Sequence, residues 1–231
     1  MGYAPHLFLQ QPWAAEAVPI PATAAHHLTK VLRLDSGATV TYTDGAGNRG
    51  EGRLLDGAVI RGEEHSVAPP AVAMTIAVAP PHDKDRLRFM IEKLAELEVR
   101  RVVFLKTRFG AGRLPDLFKS TAWVVGALEQ SRGSWLMEVA PGWTDVGELI
   151  APTLWFAEQD GPEYHGPTPA TVTIAIGPEG GWGPGEIPEG AVRLGLGRNV
   201  LRVETAAIVA AGLVRSHSSD HGEGSGPKSD G

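Results

Sequence analysis

The sequence predicts an α/β protein in which a small β-rich module precedes a larger domain built on a parallel sheet. Short, near-continuous apolar runs alternate with amphipathic helical stretches through the second part of the chain. This pattern is expected of strands buried on both faces. Two of the runs, Ile174–Ile176 and Val192–Leu196, stop abruptly at glycines. In open parallel sheets, ligands bind beyond the carboxyl ends of the strands, so these loops are the first candidates for a functional site.

Residues 1–70 are predicted to form the β-rich module. Its apolar and β-branched residues come in short pieces, Thr39–Tyr42 and Gly52–Leu55, and Asp44–Asn48 between them favours a tight hairpin turn. Before these pieces, residues 26–34 show apolar residues at helical spacing and carry Lys30 and Arg33. The two cations are either a solvated helix face or contacts to RNA, and the spacing leaves both possibilities open.

The second domain is predicted over residues 71–217. It follows a linker at residues 68–71, where consecutive prolines cannot join a ladder or a helix interior. Val72–Ala79 and Val102–Leu105 are apolar runs that predict buried strands, and Asp83 and Asp85 suit the positive end of the helix between them. The predicted helix carries one apolar stripe: Leu87, Met90, Ile91, Leu94 and Leu97. Residues 72–105 are therefore a βαβ unit.

The rest of the second domain continues the alternation. A helix is predicted over Leu117–Arg132, with Arg132 in its last turn and Gly133 at the C-cap. A strand at Leu154–Ala157, the two glycine-terminated strands and a helix over Glu204–His217 follow. Residues 218–231 contain no apolar side chain, so they are predicted to form a disordered tail.

Composition excludes several classes of protein. The 231 residues are 42% hydrophobic and 21% charged, which is ordinary for a soluble globular enzyme. The chain has no cysteine, which excludes a disulfide framework and a thiolate metal site, and no metal site is expected. The N-terminus lacks a basic region followed by an apolar core, and no apolar run is long enough to span a bilayer. The sequence therefore predicts a soluble, cytoplasmic protein without membrane partners.

The charge is unevenly distributed along the chain. The total is −6, but residues 71–135 carry +4 and residues 136–231 carry −8. Local potential, rather than the total, steers a polyanion to a protein surface. A basic face that binds RNA is therefore compatible with the acidic total.

The common cofactor and hydrolase motifs do not occur. The chain has no Gly-x-Gly-x-x-Gly opening a βαβ unit, no P-loop, no His-Glu-x-x-His and no Gly-x-Ser-x-Gly. The remaining candidates for a functional site are the loop at 177–183 and the loop at 196–205. Glycines let the backbone of these loops approach a ligand and present N–H donors, whereas the alternative is that they are simply tight turns. Glu179 is the acid of the first loop, and Leu196–Gly197 offers a backbone edge for a flat purine.

Five sequence blocks carry a resemblance to a known family. They are HLTKVLRLDSG at 27–37, DRLRFMIEKLAELEV at 85–99, EQSR at 129–132, IGPEGGW at 176–182 and LGRNVLRVETA at 196–206. Together and in this order they resemble the RsmE family, the uridine-N3 methyltransferases of small-subunit (16S) ribosomal RNA. The resemblance covers about residues 1–215.

The resemblance implies a fold and a cofactor. A PUA-like β-barrel is expected over residues 1–70, followed by a SPOUT-type parallel sheet with helices on both faces and a deep trefoil knot, assembled as a homodimer. S-adenosylmethionine is the implied methyl donor, and 16S rRNA or the small ribosomal subunit is the implied partner. The implied cofactor-binding positions are Phe156, Gly177, Glu179, Gly180, Gly181, Leu196, Gly197, Leu201, Arg202 and Thr205.

The reaction itself suggests which residues act. N3 of uridine is only weakly acidic, so the enzyme has to stabilise the imide anion that develops during transfer. Arg202 is the first candidate, as a guanidinium donor to the uracil oxygens, and the alternative is a structural ion pair with Glu204 or Glu179. Glu179 and Arg132 complete the catalytic set, although Arg132 could instead cap its helix. The expected RNA contacts are Lys30, Arg33, Arg86, Arg88, Arg108 and Arg113.

The chain also departs from the family pattern. Glu98 replaces the usual glycine at the end of the first helix, and the loop at 108–114 is shortened. Gly183-Pro184-Gly185 replaces a helix-favouring start, so the segment after the first glycine loop is predicted to be short or irregular. Two other functions stay open: a knotted methyltransferase for another RNA position, and a non-catalytic RNA-binding factor in ribosome assembly.

Overall fold

The computed structural model describes residues 4–13, 15–21, 25, 28, 34–165 and 169–219. The chain divides into two compact units, Met1–Pro69 with Val124–Leu136, and Pro70–Trp123 with Met137–Gly231. Most of the predicted helix at residues 26–34, including Lys30 and Arg33, lies outside the described residues, as does the predicted tail beyond Ser219.

The first unit is built on a five-stranded sheet. Its strands are β1 (His6–Phe8), β2 (Ala17–Pro19), β3 (Thr39–Thr43), β4 (Asn48–Leu55) and β5 (Ala58–Ser66), in the order β1-β3-β4-β5-β2. β1 runs parallel to β3, and the other pairs are antiparallel. The predicted hairpin joins β3 to β4, because the Asp44 carboxylate accepts the backbone N–H groups of Ala46 (2.8 Å) and Asn48 (3.0 Å). These bonds give the turn its shape.

The core of the first unit centres on an aromatic pair. The rings of Trp13 and Tyr42 meet edge to face with centroids 5.0 Å apart. The Tyr42 hydroxyl donates to the Glu64 carboxylate at 2.7 Å. Burial, followed by this carboxylate, raises the pKa of Tyr42 to about 12. A buried hydroxyl needs such a partner, so the hydrogen bond from Tyr42 to Glu64 anchors β3 to β5.

The second unit contains a six-stranded sheet in which all strands are parallel. The strands are β6 (Ala73–Val78), β7 (Arg101–Lys106), β8 (Glu138–Asp145), β9 (Leu154–Ala157), β10 (Thr171–Ile176) and β11 (Val192–Leu194), in the order β11-β9-β10-β6-β7-β8. Helices α1 (Lys84–Glu96) and α3 (Val203–Ser219) belong to this unit, and α2 (Leu117–Ser131) has its first part in this unit and its second part in the first unit. The predicted α/β fold with a parallel sheet is confirmed.

Packing on the sheet follows from the apolar runs. Alternate residues of the strands, with Phe156 and Leu105 among them, form one buried cluster that also includes Ala77 and Ala175. Helices α1 and α3 pack on each other, and α3 lies against β6 and β10. Four of the five residues in the predicted stripe of α1 are buried, and Leu97 is the C-cap. The Asp83 side chain caps the start of α1 by accepting from the N–H groups of Asp85 and Arg86.

Two helices end in a left-handed residue that is not glycine. Glu98 follows α1 with a φ of 54°, and Arg132 follows α2 with a φ of 60°. In each case the next N–H bonds back across the last turn, Val99 to Leu94 and Gly133 to Leu128, both at 3.0 Å. The prediction that Arg132 lies in the last turn with Gly133 as the C-cap is therefore wrong by one position. Glu98 takes the conformation that the family's glycine would favour, and it pairs with Arg215 at 2.7 Å.

Other differences from the prediction are local. Strand β8 was not expected, because Pro141 and Gly142 interrupt its apolar pattern. Residues 183–190 form turns without a helix, which confirms the irregular segment predicted from Gly183-Pro184-Gly185. Within the described ranges, none of the helices is long and apolar enough to cross a membrane.

Candidate active site

Three neighbouring strands of the second unit end at one edge of the sheet. Ala157 of β9 lies in register with Ile176 of β10 on one side and with Leu194 of β11 on the other. The loops that follow them therefore converge, as expected at the carboxyl ends of parallel strands. These loops include both glycine-rich segments singled out in the sequence.

Trp182 fixes the loop after β10 against strand β9. The Trp182 indole N–H donates to the carbonyl oxygen of Ala157 at 3.0 Å, and its ring meets Phe156 edge to face with centroids 5.3 Å apart. A Cβ at Gly177 would lie only 2.9 Å from the Trp182 ring. Gly177 is therefore required for the Trp182 ring to pack against the loop backbone. Gly181 supplies the positive φ of 75° at which the loop turns. Trp182 ends the IGPEGGW block, but the block by itself indicates no role for the side chain.

The loops after β9 and β11 cross with their backbones in contact. A Cβ added at Gly161 would lie 2.7 Å from the nitrogen of Gly195 and 2.8 Å from the carbonyl carbon of Leu194. The crossing is closed by backbone hydrogen bonds from Gly195 to Pro162 (2.8 Å) and from Glu158 to Leu194 (3.0 Å). Only glycine leaves space for this approach. The pairing of Gly161 with Gly195 has no local sequence signal, since the two residues are far apart in the chain.

The three loops enclose a cavity of about 270 Å³. Its walls come from residues 157–159, from 176–179 with 181–182, and from 196–197 with 199–201, together with Ala206 of α3. The volume is close to the lower end of the range for small-molecule pockets, about 300 Å³. Backbone edges and apolar side chains supply most of this lining.

Two carboxylates line the cavity, and they differ in their partners. Glu158 forms an ion pair with Arg193. Glu179 is exposed, and in the described part of the chain no cation lies within ion-pair distance of it. A carboxylate without a counter-ion at the edge of an apolar cavity favours a ligand that carries positive charge or hydroxyl donors.

A third carboxylate joins the loop after β10 to the loop after β7. The Glu186 side chain accepts the backbone N–H of Arg108 at 2.6 Å and that of Gly183 at 2.5 Å. Gly180 lies close to Phe109, because an added Cβ would be 2.9 Å from the Cβ of that residue. The two loops therefore form one interlocked segment. Glu186 was not predictable as a functional residue, because a single acid in a turn has no distinctive sequence pattern.

The cofactor-binding positions implied by the resemblance divide into two groups. The residues that line the cavity are Gly177, Glu179, Gly181, Leu196, Gly197 and Leu201. Four do not line it. Phe156 is buried beneath Trp182, Gly180 packs on Phe109, and Arg202 and Thr205 are exposed where α3 begins.

The two arginines of the catalytic set lie in different units. Arg202 directly follows Leu201, and its carbonyl oxygen accepts the N–H of Ala206 at 2.8 Å. Neither Glu204 nor Glu179 is within ion-pair distance of Arg202, and Glu204 instead faces Arg86 at 3.9 Å. Arg132 belongs to the first unit, where its guanidinium donates to the carbonyl oxygen of Ala4 at 2.7 Å.

The expected RNA contacts are mostly exposed cations of the second unit. Arg88 pairs with Glu92 on α1 at 2.7 Å, and Arg86 is half-buried near Glu204. Arg108 and Arg113 are exposed on the loop after β7, where the Arg108 guanidinium lies 5.7 Å from the centre of the Phe109 ring. Lys30 and Arg33 lie outside the described residues. Among the residues that the structure covers, no cluster of three potential metal ligands occurs.

A match to a family model establishes the family to which the sequence motifs point. The model of the RNA methyltransferase domain matches residues 68–215. The chain belongs to this family. The match spans the whole parallel sheet and every residue that lines the cavity, and it confirms the family predicted from the sequence blocks.

Solved structures share the fold of this RNA methyltransferase family member. A probable rRNA-methyltransferase from Porphyromonas gingivalis is 24% identical, with a TM-score of 0.81 over 94% of this chain and 99% of its own. A ribosomal RNA small subunit methyltransferase E from Neisseria gonorrhoeae, bound to S-adenosyl methionine, is 21% identical, with a TM-score of 0.81 over 93% and 98%. A putative methyltransferase from Legionella pneumophila with bound cofactor SAM is 20% identical, with a TM-score of 0.80 over 93% and 98%.

Proposed function

We propose that the protein transfers a methyl group from S-adenosylmethionine to N3 of a uridine in small-subunit (16S) ribosomal RNA. The observation that carries the proposal is the cavity at the carboxyl ends of β9, β10 and β11, enclosed by the glycine loops of an RNA methyltransferase domain. Two structures with the same fold are described as rRNA methyltransferases. One of these, and a further structure described as a putative methyltransferase, were solved with S-adenosylmethionine bound. The RsmE-type motifs are the source of the specific base and position.

The residues of the cavity fit S-adenosylmethionine. Its flat purine suits the backbone edge of Leu196–Gly197. Its sulfonium and hydroxyl groups suit the Glu179 carboxylate, which forms no ion pair with any cation among the described residues. The N–H groups of the loop around Gly177 and Gly181 supply further donors. When bound, this cofactor supplies an electrophilic methyl group on a positively charged sulfur.

Arg202 is proposed to stabilise the charge that develops on the uracil ring. Its guanidinium is exposed next to Leu201, which lines the cavity, and forms no ion pair with the acids considered as structural partners. An arginine stays protonated, so it acts as a donor to a carbonyl oxygen of the imide and not as a base. For Arg132 we propose a supporting role, since its guanidinium already holds the carbonyl oxygen of Ala4.

RNA is proposed to bind through the exposed cations of the second unit with Lys30 and Arg33 of the first. Arg108 and Arg113 are exposed on a loop that Glu186 joins to the cofactor loop. Contacts to phosphate release counterions, so RNA affinity is expected to fall steeply as salt increases. An affinity that stays constant between low and moderate salt would remove this part of the proposal.

The finer features of the family are also proposed for this chain. They comprise a PUA-like barrel in the N-terminal module, a deep trefoil knot, a homodimer and a cytoplasmic location. The backbone contact between Gly161 and Gly195 supports the knot, because threading one loop through another requires segments to cross without side chains between them. Sedimentation of the purified protein tests the homodimer.

The proposed function is tested in two steps. Calorimetric titration with S-adenosylmethionine, and separately with NAD, is expected to show binding of the first compound alone. Small ribosomal subunits and naked 16S rRNA, both lacking the modification, are then incubated with enzyme and labelled cofactor, and nuclease fragments are mapped by mass spectrometry. Methylation at N3 of a single uridine is the expected product.

The other functions give different results in the same experiment. A methyl group on a ribose, on another base or only on transfer RNA would replace the uridine-N3 assignment. A folded protein that binds small subunits but neither binds the cofactor nor transfers a methyl group would be a non-catalytic assembly factor.

A further inference from the structure

A second cavity lies in the second unit, at the carboxyl ends of β6 and β7. Its volume is about 200 Å³, and its walls include Pro80, Leu105, Thr107 and Trp143. It shares no lining residue with the first cavity. None of the residues that the RsmE resemblance assigns to the cofactor or to catalysis lines it.

The loop at residues 107–113 shapes this cavity. Gly112 passes so close to the carbonyl oxygen of Pro80 that an added Cβ would overlap it, and Gly110 lies against the Thr107 hydroxyl. At both positions the backbone alone therefore lines the cavity. The lining of the cavity therefore includes a proline, two glycines and an indole ring.

Two residues that line the cavity favour a ligand there. The Thr107 hydroxyl oxygen is buried, and within the described part of the chain it has no hydrogen-bond partner. Buried hydroxyls normally have one, so an orphaned hydroxyl at a cavity marks a position for a ligand's donor or acceptor. Trp143 is 43% exposed although it lies on a strand of the sheet, which leaves part of its ring open.

The local charge indicates the class of ligand. Residues 106–113 contain three cations, Lys106, Arg108 and Arg113, and no acid. Glu186 faces this loop, but its carboxylate already accepts two backbone N–H groups. A flat aromatic wall, one hydroxyl and a basic rim together match a base of a nucleic acid strand, because bases stack on aromatic rings while the cations track the phosphates.

We propose that this cavity is a nucleobase subsite that takes one unstacked base of the RNA substrate. The base lies against the Trp143 ring, the Thr107 hydroxyl bonds to its polar edge, and Lys106 meets the adjoining phosphate. The inference rests on the proposed function, since it requires that the substrate is RNA. It adds a position at which one base of the RNA strand is held out of its stack.

The position of the subsite suits this role. Strands β10, β6 and β7 are neighbours, and adjacent strands are spaced about 4.8 Å apart, so the two cavities are separated by roughly 10 Å along the same edge. Glu186 ties the loops that form them. A base held in the second cavity keeps its strand beside the cofactor cavity, as enzymes that modify a base in a folded RNA require.

The test uses the full-length protein saturated with S-adenosylhomocysteine, which prevents turnover. Fluorescein-labelled hexauridylate is the probe, and its affinity is measured by fluorescence anisotropy for Trp143→Ala and Thr107→Val. Phe118→Ala removes an exposed aromatic ring elsewhere, and Thr171→Val removes an exposed strand hydroxyl, so these are the matched controls. Cofactor binding by calorimetry shows that each variant keeps a folded second unit.

We expect about ten-fold weaker hexauridylate binding for Trp143→Ala and about five-fold weaker binding for Thr107→Val, with wild-type cofactor affinity and unchanged controls. Wild-type affinity in both variants overturns the subsite, and so does a wild-type protein that does not bind hexauridylate. Methyl transfer to small subunits is measured separately. A wild type that binds the probe through this subsite but transfers no methyl group contradicts the proposed function and leaves the subsite standing.

Discussion

The crossing of the loops after β9 and β11 predicts that Gly161→Ala impairs both stability and cofactor binding. The added methyl would lie 2.7 Å from the nitrogen of Gly195 and 2.8 Å from the carbonyl carbon of Leu194. Both neighbours are backbone atoms and cannot rotate away, so the loops have to separate by several tenths of an ångström. Overpacking of this kind costs about 1–3 kcal/mol.

The separation also weakens the hydrogen bonds that close the crossing. The bond from Gly195 to Pro162 is 2.8 Å, and the bond from Glu158 to Leu194 is 3.0 Å. For a protein of this size, each kcal/mol lowers the melting temperature by about 2–4 °C, so we expect a decrease of about 2–12 °C. Both loops form walls of the cavity that we propose for the cofactor, and a loss of about 1–2 kcal/mol there is expected to weaken cofactor binding about 5- to 30-fold.

Gly147→Ala is the control for this substitution. Gly147 lies in an exposed turn of the same unit, has no positive φ, and has open space where the methyl would be placed. Differential scanning calorimetry gives the melting temperature, and titration with S-adenosylmethionine gives the affinity. If Gly161→Ala matched Gly147→Ala in both measurements, the close crossing of the two loops would not exist in solution.

Three further predictions concern the linked loops, the reaction and the first unit. Glu186→Gln keeps one acceptor but sets an amide N–H₂ against a backbone N–H, so we expect faster hydrogen exchange at Arg108 and about five-fold weaker cofactor binding. Arg202→Ala is expected to lower single-turnover methyl transfer to small subunits about 100- to 1000-fold with little change in cofactor affinity. His6 has its pKa lowered from 6.5 to about 4, first by burial and then by Arg49 and Arg132, despite an opposing hydrogen bond to Gly133. The unfolded chain therefore binds a proton that the folded chain does not, and stability present above about pH 6.5 is lost as the pH falls towards 4, by about 1–2 kcal/mol after solvent screening.

Each of these predictions has a control and a contrary outcome. Glu189→Gln changes an exposed acid in the same segment and is expected to behave as wild type, whereas identical exchange rates in Glu186→Gln would remove the link between the loops. Arg202→Lys keeps the charge without the planar fork, and wild-type turnover in Arg202→Ala would exclude the role in charge stabilisation. His6→Gln is expected to flatten the change of unfolding free energy with pH, measured by urea titration, and an unaltered slope would show that another group titrates.

Long apolar periodic segments were predictable from the sequence, and so were the loops that end them. Val102–Leu105 and Leu154–Ala157 indicate strands because a parallel sheet buries both faces, and the stripe of α1 follows from a single buried helix face. The glycine loops were found as candidates because their strands end abruptly. Family motifs then supplied the cofactor, which glycine spacing alone leaves open.

The features that sequence reasoning missed depend on contacts between distant residues. Gly161 is one glycine among 29, and only its approach to Gly195 shows why no side chain fits there. Glu186 looks like a solvated acid until two backbone N–H groups from separate loops meet its carboxylate. Arg132 was placed one position too early, because local rules favour the glycine that follows it for a left-handed conformation. Tertiary structure overrides the local preference at each of these positions.

The strand order of the second unit has a consequence for how the protein is made. Strand β6 lies in the middle of the sheet, and one of its two neighbours, β10, is roughly 100 residues further along the chain. At synthesis rates of about 5–20 residues per second, one edge of β6 waits about 5–20 s for its partner to leave the ribosome. An apolar strand edge that stays unpaired for so long can recruit other nascent chains, so fragments that stop before Thr171 are expected to aggregate or to bind chaperones. The walls of the cavity that we propose for the cofactor come from β9, β10, β11 and α3, so a nascent chain forms this cavity only after β6, β7 and β8 have been synthesised.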